Sequence, residues 1–161
     1  MARKKVPLGK FSAIIQALPD QLNQAAINGA RKAAARLVVL VEYQIRNAQP
    51  FPLVDRGSLV QQTNLVLTPT GANVRNDAPH AAPQEYGSRP FSAPLQPLLE
   101  WAERKGFADP KAVAWAVRTK FLREGMKPKR FFAKALAQWK AEKALPRAIE
   151  ESLARRKGGI P

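Results

Sequence analysis

The chain contains no cysteine, so neither a disulfide nor a thiolate metal site can stabilise it, and nothing ties it to an oxidising compartment. Groups that transfer protons, attack carbonyls or hold metals are also scarce. There is one histidine and there are twelve scattered carboxylates, with no GxGxxG, P-loop, GxSxG or HExxH pattern among them. This inventory points away from an enzyme, and no cofactor or metal is expected. His80, between Pro79 and Ala81, has no second ligand candidate beside it and reads as a strand or loop residue. Asp55, two residues before Gly57, reads as a cap for a turn or short helix starting there.

Long apolar runs are missing too. The most apolar stretch, AAARLVVLV at residues 33–41, contains Arg36 and falls well short of the ~20 residues of a membrane span. The apolar part of the N-terminus, residues 11–18, is interrupted by Gln16 and lacks a small-residue cleavage site. The expectation is a soluble protein with no signal peptide and no membrane partner.

What is present in excess is positive charge: 27 Lys and Arg against 12 Asp and Glu, a net +15 over 161 residues. That length matches one domain with one core, and that charge makes polyanions plausible partners. Residues 1–47 carry eight basic and two acidic side chains, residues 48–93 three of each, and residues 94–161 sixteen and seven. A neutral middle thus separates two basic flanks. Three divisions follow: a basic arm at residues 1–12, a single α+β domain at 13–145 and a basic tail at 146–161.

Within the domain, Leu22, Ala26, Ala30, Ala33, Leu37 and Val41 recur every three or four residues after Asp20, which predicts a long helix stopped near Asn47 and Pro50. Its alanines suit close packing against a sheet or another helix. SLVQQTNLVLT and NVRN read as two strands around a turn at Pro69 and Gly71. HAAPQEY reads as a third, edge strand, because Pro83 cannot donate to a ladder. Three helices are then predicted: one from Leu95 through Trp101 to Gly106, one capped by Asp109 with Pro110 at its first position and stopped at Gly125, and one from about Lys129 through Trp139 to Pro146. The fold class is therefore α+β, a long N-terminal helix packed on a small antiparallel sheet and followed by three helices. RAIEESLARRKGGIP is expected to be a frayed helix and then disordered.

Two candidate contact regions emerge. One is basic: Arg3, Lys4 and Lys5 in the arm, with Lys127, Lys129, Arg130 and Lys134 beside Phe131 and Phe132 at a helix start. Cations at a helix N-terminus oppose its dipole, so these residues should face water, DNA or an acidic partner. The other is the proline-rich stretch holding Glu85, Tyr86, Arg89, Pro90 and Phe91. Its prolines lower the entropy lost on ordering, so it can offer two aromatic rings in a preset shape. Either the rings anchor an interface or they turn back onto their own core.

The order of these features carries more than any one of them. DxGxL at residues 55–59, the hairpin, Asn76, EYG at 85–87, Pro90 and Phe91, a tryptophan helix through Trp101, and REGMKPKRFF at 123–132 follow one another. This series resembles the tail-component family of tailed bacteriophages across about residues 20–140. The resemblance implies a structural role in the neck of the virion, assembled in the bacterial host cytoplasm. Copies of the chain, on the order of six or twelve, would close into a ring. The ring would sit between head-closure or adaptor proteins and the tail terminator or tail tube, around the channel for double-stranded DNA. The residues at 85–91 would then be an oligomer interface. The competing expectation is a small basic DNA-binding protein that works as a monomer or dimer through residues 127–134.

Overall fold

The computed structural model describes residues 20–49, 53 and 55–157. Helix α1, Asp20–Arg46, runs through the middle of the molecule, about 40 Å long at 1.5 Å per residue. A single turn of helix, α2 (Ser58–Gln61), leads into strand β1 (Thr63–Thr68), which pairs antiparallel with β2 (Gly71–Asn76). Next come α3 (Ala81–Tyr86), α4 (Leu95–Arg104), α5 (Pro110–Glu124), α6 (Phe131–Ala141) and α7 (Ala144–Lys157). The architecture is α+β, with the long helix packed on a small antiparallel sheet and later helices gathered around it. No helix among the described residues is long and apolar enough to cross a membrane.

Proline placement explains two departures from the expected elements. Pro83 lies in the first turn of α3, so HAAPQEY contributes a short helix and not an edge strand, and the sheet has two strands among the described residues. Pro146 lies in the first turn of α7 and starts it instead of disturbing the helix before it; α7 continues regularly to Lys157, where a frayed helix was expected, and residues 158–161, expected to be disordered, lie outside the described residues. Pro97 and Pro110 occupy first turns as well, in α4 and α5. First-turn N–H groups have no acceptor within the helix, so a residue lacking that hydrogen costs nothing there. Pro146 therefore starts a helix after the turn at Glu142 and Lys143, and the φ of 52° at Lys143 breaks α6 from α7. A smaller departure is SLVQ, the helical turn α2, which begins after Gly57 in the left-handed conformation and delays β1 to Thr63.

The core collects on the C-terminal half of α1. Leu40, Val41 and Ile45 pack with Leu59, Ala78, Ala81, Phe131 and Ala135, flanked by Leu37, Val60, Phe132 and Trp139. The N-terminal half of α1 uses small residues to bring α7 close. A Cβ on Gly29 would stand 2.7 Å from Ile149 Cα, and Ala25 and Ala33 of α1 and Ala148 of α7 are buried. Trp139 Nε1 donates to Ala33 O at 2.7 Å, while Arg36 and Glu142 form a bidentate pair with both contacts at 3.0 Å. Lys32 pairs with Glu151 on the same side. On the other side, Arg31 donates to Thr68 O and Gly71 O, fastening the hairpin turn to α1. Such support matters because a two-stranded ribbon is marginal in water by itself.

Asn76 ties the ribbon base to its surroundings. Its Nδ2 donates to Leu59 O and Thr63 Oγ1, and its Oδ1 accepts from Ala78 N. Helices α4 and α5 pack mainly on each other, with Ala102 and Ala114 buried between larger neighbours. This helical pair is held to the body by the Arg104–Asp55 and Arg56–Glu100 ion pairs. Asp55 is thus a partner of α4 rather than a cap, since the N-cap of α2 is Gly57 with no side-chain bond.

Candidate functional site

The two motif regions singled out in the sequence, EYG and REGMKPKRFF, fold onto one another. Phe91 N donates to Phe121 O at 3.1 Å, Ser88 N to Met126 O at 3.0 Å and Lys129 N to Gln84 O at 2.8 Å. Met126 N returns a bond to Ser88 Oγ at 3.2 Å. Two glycines make this approach possible. Gly125 has φ 71°, and a Cβ there would collide with Ser88 O. Gly87 has φ 80°, and its Cβ would lie 2.6 Å from Met126 O. No residue other than glycine satisfies both demands, the left-handed backbone and the absent side chain.

Glu85 completes the clasp from inside. Only 7% exposed, its carboxylate accepts from Phe132 N at 2.8 Å and Ala133 N at 2.9 Å. Two orphan donors of α6 are thereby satisfied, and a negative charge sits at the positive end of the helix. The expected conflict between basic residues and the dipole at this helix start is therefore met by a carboxylate more than forty residues earlier in the chain. Arg130, at φ 53° and ψ 39°, makes the turn that sends Phe131 into the core. A non-glycine residue held there costs about 1 kcal/mol, offset by the bonds on either side.

The candidate residues separate once placed. Glu85 is a buried cap and not part of an exposed interface. Phe91 stacks on Phe121, with ring centroids 5.3 Å apart, and remains 37% exposed. Tyr86 stands out, 79% exposed, over an open depression of ≈ 300 Å³ that it lines with Glu85, Pro128, Arg130 and Ala133. Arg89 and Pro90 are exposed beside it. Among the basic residues, Lys129 Nζ donates to Gln49 O at 3.0 Å. The Lys127, Arg130 and Lys134 side chains are exposed. Arg3, Lys4 and Lys5, with the arm, lie outside the described residues.

Comparison with protein-family models, with curated proteins and with solved structures gives no match to this chain. The site must therefore be read from its own geometry. His80 is exposed, with Nε2 3.3 Å from Ser58 Oγ. No group of three or more metal-ligating side chains occurs among the described residues. A second depression, ≈ 380 Å³ between α1 and the α6–α7 turn, is lined by Lys32, Arg36 and Arg147 against Glu142 and Glu151, so its charges are largely satisfied internally. The Arg36 guanidinium, through its hydrogen bonds, holds the Glu142 carboxyl below its ordinary value.

Sequence reasoning missed two surfaces. One is the side of α5 where Trp115 and Leu122 are exposed and Arg118 lies 5.1 Å over the Trp115 ring. The other is the β1–β2 ribbon, where Leu65 and Leu67 point outward. Spacings of three and four residues along PKAVAWAVRTKFLRE were a signal for the first, since two apolar stripes fit that helix and only one faces α4.

Proposed function

We propose that the protein is a structural, non-enzymatic subunit of the neck of a tailed bacteriophage. Copies form a ring around the DNA channel, between head-closure proteins and the tail. The observation that carries the reading is the clasp. Motifs that follow the order seen in the tail-component family, and lie about forty residues apart, meet in a single backbone-bonded unit. That unit fixes the backbone on either side of Tyr86, whose side chain stands outward beside Arg130, which suits an aromatic anchor on a preformed surface. Lys127, Arg130 and Lys134 then face an acidic neighbouring protein or the DNA.

Electron microscopy of the purified protein and of finished particles tests this. An annulus, and its presence at the neck, is the expected result. A second reading, a monomeric or dimeric DNA-binding protein, draws on Lys127, Arg130 and Lys134, none of which has an ion-pair partner among the described residues. It requires a monomer or dimer whose duplex affinity falls about 10³-fold or more between roughly 50 and 200 mM salt.

A further inference from the structure

In a chain with 27 basic and 12 acidic side chains, residues 57–74 contain none of either. Those residues are α2, β1, the hairpin turn and most of β2. The nearest charges are already engaged: Arg31 on the carbonyls of the hairpin turn, and Arg75 paired with Asp77 at the ribbon base. One ribbon face carries the cross-strand pairs Leu65↔Val74 and Leu67↔Ala72, and on it Leu67 is 60% and Leu65 37% exposed. Among the described residues each strand is paired on one side only, which leaves about half of its N–H and C=O groups without a ladder partner there. Exposed strand edges are ordinarily blunted by lysine, proline or a bulge. Neither β1 nor the uncharged part of β2 has a lysine or a proline.

From this we infer that the β1–β2 ribbon is a surface through which the protein binds a second copy of itself, edge to edge. The occupant follows from charge. Two bodies of net +15 repel wherever their lysine-rich faces meet, and an acidic partner is drawn to those faces and not to an uncharged ribbon. Ribbon-to-ribbon contact lets two copies touch along a stretch that carries no charge. The two edges belong to different strands, so β1 of one copy can lie against β2 of the next, a head-to-tail contact of the kind that closes rings. The identity of the occupant rests on the self-assembling reading above; the location of the surface rests on the charge gap and the free edges.

Sedimentation velocity over a concentration series tests the inference, with circular dichroism to confirm folding. Leu67→Lys alters an exposed side chain and should leave the fold intact while weakening self-association about tenfold or more. Trp115→Lys, on the exposed side of α5, should leave association unchanged. Raising salt from about 0.15 to 0.5 M should strengthen association, because it screens repulsion between like-charged copies. Because the chain has no cysteine, Leu67→Cys gives a single thiol whose reaction with maleimide should slow as the protein assembles. A folded Leu67→Lys variant that assembles like the parent overturns the surface and leaves the ring reading standing. A parent that remains at 17.8 kDa at every concentration and salt overturns both. If the Leu67→Cys variant is such a monomer and its thiol is shielded from maleimide, the ribbon is covered by its own chain, which also overturns the inference.

Discussion

Replacing Glu85 by alanine is expected to destabilise the fold far more than its position in a loop-like motif would indicate. The side chain is buried and accepts two N–H groups from the first turn of α6, at 2.8 and 2.9 Å. Losing one capping bond costs about 0.5–2 kcal/mol, and removing the charge from the helix N-terminus about 0.3–1 kcal/mol more. With two bonds lost, the expected cost is about 3 kcal/mol, since the freed donors are partly shielded from water. For a chain of this size that corresponds to a fall of about 6–12 °C in Tm. Glu85→Gln keeps one acceptor and the shape but not the charge, and should lie about midway. Thermal and urea unfolding of the three proteins would read this directly. A change below about 0.5 kcal/mol in Glu85→Ala, or assembly lost with no change in Tm, would refute the capping role and return Glu85 to an interface.

Gly125→Ala should be at least as damaging, about 3 kcal/mol or more. It forces a side chain into a left-handed backbone and against Ser88 O; a Tm within a degree or two of the parent would show that the clasp is looser than described. Tyr86→Ala, at a 79% exposed position, is expected to leave urea unfolding within about 0.5 kcal/mol of the parent while weakening ring formation, measured by sedimentation. Arg36→Ala should let the Glu142 carboxyl titrate at a higher pH, measured by NMR. Because the folded-state pKa of Glu142 is lowered, the pair stabilises the protein above the ordinary carboxylate value of 4.5. That stabilisation fades as pH falls through the depressed one. The variant should lack this acid-side loss.

Most elements of this protein are written locally. Asp109 and Pro110 open α5, Gly106 and Gly125 end α4 and α5, and the three- and four-residue recurrence after Asp20 marks α1. Pro69 and Gly71 bound the hairpin turn. Each signal works through bonds a few residues long, so it is visible in the chain without knowledge of the fold. Pro83 and Pro146 show where that reading is ambiguous, because a proline both breaks a helix interior and suits a first turn. Which role applies depends on what the neighbouring residues pack against: Ala81 in the core beside Phe131, and Ile149 against Gly29.

The site lay beyond local reading. Glu85 looked like an exposed member of a loop until its carboxylate met N–H groups 47 and 48 residues away, and Phe91 could be placed only once Phe121 was found beneath it. The uncharged stretch at residues 57–74 was open to view in the composition. That it forms a ribbon whose two edges are unpaired among the described residues, with outward leucines, required the tertiary structure. Burial, edge pairing and the aim of a side chain are set by which surfaces come together. Residue type and spacing constrain that choice, and packing makes it.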